Sequence, residues 1–358
     1  MASGKPRILQ VDPAKPEKSV ISAAASALRS GDLIILPTET VYGVAADPGV
    51  EGASERIYAA KERDRGKPIP LMASGLEAVE RHGAVFPPWA RRLARRCWPG
   101  PLTLVLKCGG GTEGFRVPAH AAALAVVKAA GGLLRVTSAN ISGDPAARTV
   151  AAALAALGDR VALALDAGPS ALGVESTVVD ATGESPVILR QGALSREIVM
   201  ARPLVLFVCT GNTCRSPMAE ALARHWLGGN PEWEVESAGV SAVPGQRASE
   251  GAITVMEEKK IDLSGHRSRP LTQAQIDAAD LVVVMTEAHK SGVLGRFPGA
   301  AGRVVLLNDF NPRRAGEDVP DPFGMKPGVY RTIRDEIEAA MPELILHLHG
   351  LYRQGNRP

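Results

Sequence analysis

Residues 203–226 read PLVLFVCTGNTCRSPMAEALARHW, and the fold of the second half of the chain follows from this stretch. The unbroken apolar run 204–208 reads as a strand buried on both faces. It ends at Cys209 and passes through a short loop, Thr210-Gly211-Asn212-Thr213-Cys214, with Arg215 next and Ser216 opening a helix. A loop entering a helix N-terminus offers several unpaired backbone N–H groups, and the helix dipole adds partial positive charge. A phosphate fits such a nest, and a thiolate is stabilised in it. Five residues lie between Cys209 and Arg215, enough for the loop to curl around a tetrahedral anion. The guanidinium then grips two of its oxygens at once, which a lysine could not do.

A thiolate nucleophile divides one difficult displacement into two through a phosphoenzyme. The leaving group and the later water both need proton transfer, so an acid must come from elsewhere in the chain. Asp321, in the Pro/Gly loop Asp321-Pro322-Phe323-Gly324, is the candidate. The polar stretch before it, 308–321, reads as a mobile loop that brings Asp321 to the site.

Working outward, strand-like EVESAG (234–239), DLVVVMT (280–286) and VVLLN (304–308) alternate with helix-like 247–261 and a long final helix from about Gly328. That alternation is the pattern of a doubly wound parallel sheet. A boundary lies near 195–203, where one strand pattern ends and the next begins. The part before it is a second α/β unit. It has a helix over 20–31 closed by Gly31, then the buried strand DLIILP (32–37). Further strands are expected at 102–107, 133–138, 161–166, 175–180 and 186–192.

Residues 203–350 resemble the low-molecular-weight protein tyrosine phosphatase family. Besides the loop, SPMAEA, ESAG, IDLSGHRSRPLT, ADLVVVMTEAH and DPFG occur in that family's order. The resemblance implies Cys209 as nucleophile, Arg215 as clamp on the phosphate and the transition state, and Asp321 as general acid and then base. Asn212 would brace the loop and Ser216 support the thiolate, with Thr210, Gly211, Thr213 and Cys214 completing the phosphate loop. No metal and no cofactor is implied. The string VCTGNTCRSPMAE is especially similar to bacterial protein-arginine phosphatases, which carry threonine where tyrosine-directed relatives carry a bulkier aliphatic residue. Here that residue is Thr213, and Phe323 stands in place of a tyrosine, so the substrate is phosphotyrosine or phosphoarginine in proteins. Arsenate reductases share the loop but pass a disulfide to later cysteines, and this chain has none after Cys214. Cys214 is either a redox partner of Cys209 or a small buried side chain behind the loop. His266 reads as a capping or surface residue, and neither it nor His289 or Trp233 reads as catalytic.

No nucleophile stands out in the first unit. Hydroxyls, one amide and several cations recur at strand ends: Thr38, Thr40 and Tyr42 after DLIILP, then Lys61, Arg63 and Lys67 in KERDRGKP. Arg116, Ser138, Asn140, Ser176, Thr177 and Arg190 follow. Such a set positions substrates and neutralises a polyphosphate, and by itself indicates an anion-binding α/β domain. Residues 18–195 resemble the YrdC-type threonylcarbamoyl-AMP synthase family, through PTETVYGV, KERDRGKP, WPGPLTLVLK, RVPAH, TSANISG, GVESTVVD and ILRQG in family order. The resemblance implies a YrdC-like α/β domain with a twisted mixed sheet. The implied reaction condenses L-threonine, bicarbonate and ATP into threonylcarbamoyl-adenylate for threonylcarbamoyladenosine formation on tRNA. Mg²⁺ is expected with the nucleotide. Matched by position, Lys61, Arg63, Lys67, Thr112, Asn140 and Arg190 would meet ATP, and Thr38, Arg116, Ser138 and Ser176 would hold threonine, with Arg116 on its carboxylate. Before Arg116 the chain reads GGGTEGF where relatives have a β-rich run, and GGLLRVTSAN lacks the usual proline before its leucine pair. The separate C-terminal domain of longer relatives is absent, with the phosphatase in its place.

The expected domains are thus 1–199 and 203–358, and 358 residues suit two cores. Composition agrees: 45% hydrophobic and 22% charged residues are ordinary for globular protein. A net charge of +3 excludes a dedicated nucleic-acid binder. The arginines 91, 92, 95 and 96 share a helix face that is either solvated or touches tRNA phosphates. Four cysteines, Cys97, Cys108, Cys209 and Cys214, are too few for a disulfide scaffold and suit a reduced cytoplasm. Neither a signal peptide nor a membrane span is legible, so a cytosolic enzyme with no membrane partner is expected. Expected partners are the substrates, phosphoproteins, and tRNA or its threonylcarbamoyl-transfer machinery. The alternatives are a catalytically quiet RNA-binding first half, or a phosphoprotein-binding adaptor as the second.

Overall fold

The computed structural model describes residues 5–228 and 233–353. The chain separates into two units, Met1–Met200 and Ala201–Pro358. The strands of the first are β1 (Arg7–Gln10), β2 (Ile34–Leu36), β3 (Gly43–Ala46), β4 (Leu71–Ala73), β5 (Ala84–Val85) and β6 (Leu102–Cys108). They continue with β7 (Gly111–Arg116), β8 (Leu133–Ser138), β9 (Leu163–Asp166), β10 (Thr177–Asp180) and β11 (Val187–Arg190). Its helices are α1 (Lys18–Arg29), α2 (Ala53–Lys61), α3 (Leu76–Arg81), α4 (Pro88–Cys97), α5 (Ala121–Ala129), α6 (Val150–Leu157) and α7 (Arg196–Met200).

These strands form one mixed sheet in the order β1-β9-β2-β3-β8-β4-β7-β6-β10-β11, with β5 on β6. The apolar run of β2 is explained by burial on both faces. Ile34 and Leu36 pack with Leu28 of α1 and Val126 of α5, whereas Ile35 packs with Ile57 of α2 and Val150 of α6. On α1, Ile21, Ala24, Ala25 and Leu28 are buried, the spacing of one helical face. The GGGTEGF stretch still forms β7, antiparallel to β6 with Phe115 opposite Leu104. Phe115 is fully buried, and pairing on both sides overrides the poor strand propensity of its glycines. On α4, Trp89, Ala90, Leu93, Ala94 and Cys97 face the core. Part of the arginine face is used internally: Arg91 pairs with Glu80 at 2.5 Å and lies over the Phe86 ring.

The second unit holds β12 (Leu204–Cys209), α8 (Arg215–Trp226), β13 (Glu234–Gly239), α9 (Glu250–Glu257), α10 (Gln273–Ala278) and β14 (Leu281–Val284). It ends with α11 (Glu287–Arg296), β15 (Val304–Leu306) and α12 (Pro327–Arg353). The sheet order is β13-β12-β14-β15, and every pair is parallel, as the alternation predicts. Val205 and Phe207 of β12 pack with Met218 of α8, Val255 of α9 and Ile337 of α12. Leu204, Leu206 and Val208 pack with Ile276 of α10 and Val293 of α11. Each fully buried side chain of this size contributes roughly 1.5–3 kcal/mol relative to exposure.

The stretch 308–321, expected as a polar loop, is exposed over most of its length and anchored at a few points. Asn308 Nδ2 donates to Glu336 Oε1 at 2.8 Å, and Arg314 pairs with Glu336 at 2.7 Å. Val319 is fully buried, with its N–H on Met285 O at 2.8 Å. Asn308 and Arg314 anchor the stretch to α12, while its other polar residues are mostly solvated. Among the described residues, no helix is long and apolar enough to cross a membrane.

Candidate active sites

In the second unit, the end of β12 and the start of α8 hold Cys209, Arg215 and Ser216 around the loop 210–214. Cys209 Sγ lies 3.0 Å from Ser216 Oγ and accepts from the Asn212 backbone N–H at 3.3 Å. Asn212 is fully buried and adopts φ +56°, a left-handed conformation that asparagine tolerates better than most residues. Its Nδ2 donates to Ser216 Oγ at 3.0 Å and Ser237 Oγ at 2.8 Å, while its Oδ1 accepts from Arg269 N–H at 2.9 Å. Asn212 thus ties the loop to Ser216, Ser237 and Arg269. Gly239 closes β13 against the loop, and a Cβ there would sit 2.5 Å from Thr210 O and 2.9 Å from Asn212 N.

Arg215 is buried, with a side chain 5% exposed, and Asp321, 47% exposed, reaches it at 2.5 Å. Arg215 also donates to Val319 O at 3.0 Å. Its Nε is buried without a hydrogen-bond partner. Thus Cys209 meets Ser216, and Arg215 meets Asp321. Thr213 is partly exposed on the loop. Phe323, beside Asp321, is 71% exposed. Cys214 is buried behind the loop, with Sγ 3.2 Å from Ser249 Oγ and 3.5 Å from Tyr330 OH. Burial, then the contact with Cys214, pushes the Tyr330 phenol up to about 12.

Two histidines that the sequence reading left outside catalysis make hydrogen bonds to the loop. His266, read as a capping or surface residue, places Nε2 2.7 Å from Asn212 O and so holds the loop. His289 lies with Nε2 2.9 Å from Thr210 Oγ1 and Nδ1 2.7 Å from Thr286 Oγ1. Burial, then the Arg215 charge, pushes its imidazole down to about 4, against the opposing pull of Asp321 and Asp318. Trp233 is a core residue, buried with Val235 and Leu227.

In the first unit the site residues are held in several local hydrogen-bonded groups. The Thr38 hydroxyl ties its own turn, donating to Val41 O at 2.6 Å and accepting from the N–H groups of Thr40 and Val41 at 3.3 Å. Lys61, at the end of α2, is buried. Its Nζ donates to Ser138 O, to Asn140 O at 2.5 Å and to Asn140 Oδ1 at 3.3 Å. Burial and then the Arg63 charge lower Lys61 to about 8, with Glu175 pulling the other way. The Asn140 amide also donates to Asp144 O at 2.7 Å.

Arg190, ending β11, donates to Ser176 O at 2.9 Å and pairs with Glu175 at 3.1 Å. Ser176 Oγ is 2.8 Å from Thr103 Oγ1. A Cβ on Gly192 would lie 2.4 Å from Glu175 O, so only glycine lets this turn close. Arg63 folds its Nε onto Lys67 O at 3.0 Å. Arg116, ending β7, pairs with Glu39 at 2.7 Å, and Glu39 is a residue that the sequence reading passed over. Thr112 lies exposed near the β6–β7 turn, opposite Lys107. Its side chain makes no hydrogen bond to the other site residues among those described.

Comparison with known proteins divides the chain in the same way. Residues 26–192 match the Sua5/YciO/YrdC family model, described as telomere recombination. Residues 204–354 match the low molecular weight phosphotyrosine protein phosphatase model. Over 196 residues the chain is 37% identical to a putative threonylcarbamoyl-AMP synthase of Mycobacterium tuberculosis, covering 52% of this chain and 89% of that protein. Over 140 residues it is 46% identical to a protein-arginine-phosphatase of Geobacillus stearothermophilus, covering 39% of this chain and 92% of that protein. Among solved structures, a variant of Sua5 from Pyrococcus abyssi is similar with a TM-score of 0.51 at 25% identity, covering 84% of this chain and 99% of that one.

Proposed function

The chain belongs to the Sua5/YrdC synthase family over its first unit and to the low-molecular-weight phosphatase family over its second, and from this premise we propose a bifunctional cytosolic enzyme. The first unit condenses L-threonine, bicarbonate and ATP into threonylcarbamoyl-adenylate, releasing pyrophosphate and water. The product passes to the machinery that modifies tRNA. Arg63, Lys67, Asn140, Arg190 and Thr112 meet the nucleotide, Lys61 assists at its phosphates, and Thr38, Arg116, Ser138 and Ser176 hold threonine. The buried Lys61 on Ser138 O and Asn140 O supports this reading, because it ties the end of α2 to the end of β8 and the residues that follow it. Among the described residues no three carboxylate, imidazole or thiol side chains converge. Mg²⁺ would enter with the phosphates of ATP, as is usual where it is bound through substrate phosphates and few protein ligands.

The second unit hydrolyses protein phosphoarginine through a phosphoenzyme on Cys209. The observation that carries this reading is the Cys209 sulfur held between Ser216 Oγ and the Asn212 N–H at the N-terminus of α8. Cys209 attacks phosphorus, the sulfur–phosphorus bond forms and the bond to the leaving atom breaks, with the proton for that atom supplied by Asp321. Asp321 then takes a proton from the water that frees the phosphate. A phosphate oxygen would supply the acceptor that Arg215 Nε lacks. An adaptor that only bound phosphate would need no acid beside Arg215.

Thr213 supports phosphoarginine as the preferred substrate. Its hydroxyl, partly exposed on the loop, leaves room for a planar polar group and offers it a hydrogen bond. Isoleucine there would desolvate the guanidinium without compensation, at roughly 1–3 kcal/mol. The test is the ratio of kcat/KM for phosphoarginine and phosphotyrosine peptides. It should favour phosphoarginine in wild type and swing about ten- to a hundredfold toward phosphotyrosine in Thr213→Ile. A wild type that prefers phosphotyrosine, or an unchanged ratio, leaves a tyrosine phosphatase instead.

A further inference from the structure

Glu39 follows Thr38 in the β2–β3 loop and is buried beside Arg116, each side chain being 11% exposed. Its Oε1 accepts from Arg116 Nη2 at 2.7 Å. Its Oε2 is buried and has no hydrogen-bond partner. A carboxylate oxygen removed from water without a donor is costly, so a site that keeps one is arranged to receive a donor from outside. Arg116 shows the matching feature. Its Nε is spent on Gly100 O at 3.3 Å and its Nη2 on Glu39. Among the described residues, Nη1 meets no acceptor. The loop holds this geometry through the Thr38 turn and through Leu172 N–H on Glu39 O at 2.8 Å. Burial pushes the His120 imidazole down, against the opposing pull of the nearby Glu39 charge.

A cation and an anion side by side, each with an uncommitted hydrogen-bonding atom, complement a molecule bearing a carboxylate and an ammonium on one carbon. We propose that Glu39 binds the α-ammonium of the amino-acid substrate while Arg116 takes the carboxylate of the same molecule. This rests on the threonine-using reading of the first unit. Hydroxyl groups alone would not separate an amino acid from the corresponding hydroxy acid, whereas a buried carboxylate left facing a hydroxyl loses a charge-assisted partner.

The experiment titrates the full chain, saturated with α,β-methylene-ATP, with L-threonine and with 2,3-dihydroxybutanoate, which carries a hydroxyl in place of the ammonium. Wild type should bind threonine at least about thirtyfold more tightly. Glu39→Gln should weaken threonine about ten- to a hundredfold and the hydroxy acid by less than about threefold, so that discrimination collapses. Equal binding of the two acids by wild type overturns the proposal without any variant, so a Glu39→Gln chain that fails to fold does not shelter it. Equal weakening of both acids in the variant also overturns it, because Glu39 would then act only by holding Arg116. Wild type that shows no threonine-dependent pyrophosphate release overturns the functional reading itself, a result distinct from release accompanied by indiscriminate binding.

Discussion

Asp321 and Arg215 occupy each other at 2.5 Å, so a phosphate arriving at Arg215 competes with the acid that must later protonate its leaving group. The exposure of Asp321 makes its release cheap, since water replaces the partner it gives up. Asp321→Ala should therefore have two opposed effects. Hydrolysis of substrates with poor leaving groups should fall about 10²–10⁴-fold, as expected for a lost general acid. Activated aryl phosphates, which leave without a proton, should lose far less, and inorganic phosphate should inhibit the variant more strongly because the competing carboxylate is gone. Steady-state kinetics on both substrate types decide it, and equal losses would remove Asp321 from the role. At this scale the sequence reveals residues whose partners are close in the chain. Cys209, Asn212, Arg215 and Ser216 are legible because one loop carries them. His266 and His289 were not, because they meet the loop from 54 and 79 residues away, and Glu39 was not, because Arg116 lies 77 residues on.

Elements buried on both faces were legible for the same reason that they are stable: β2 and β12 are unbroken apolar runs because helices cover them twice. Elements that exist through their neighbours were not, as β7 shows, where four of the five residues before Phe115 are Gly or Thr. Helix α11 is a link of that second kind. Thr286 caps it, and His289 on its first turn carries the contact to Thr210 in the phosphate loop. His289 stays neutral down to about 4 in the folded chain, against an ordinary value of 6.5. Between those values the unfolded chain binds a proton that the folded chain refuses, so the contribution to stability is complete above about pH 6.5 and drains as pH falls toward 4. At its fullest the effect is on the order of 3 kcal/mol. Urea unfolding at pH 7 and pH 5 should show wild type losing more stability on acidification than His289→Asn, which keeps polar partners but does not titrate. Parallel losses would mean that the acid sensitivity comes from other groups.

Over the whole chain, each unit carries its own cores and its own candidate site. The apolar clusters of the first unit draw on residues from Val11 to Val199, and those of the second on residues from Leu204 to Leu348. Substitutions that share no partner add independently, so the two activities should be separable by point changes in the intact chain. Asn140→Ala removes the amide that donates to Ile141 O and Asp144 O and the Oδ1 that accepts from Lys61. It should lower threonine-dependent pyrophosphate release by more than about a hundredfold, an effect of roughly 2.7 kcal/mol or more. Phosphatase kcat/KM in the same preparation should stay within about twofold of wild type, a difference below roughly 0.5 kcal/mol. Cys209→Ser should do the reverse: it abolishes phosphatase turnover, keeps phosphate binding because Arg215 and the loop amides persist, and leaves pyrophosphate release untouched. The discriminating measurement is both assays on both variants. If either substitution lowers the two activities together while the circular dichroism of the chain is unchanged, the sites are coupled, and independent catalytic units are the wrong description of this enzyme.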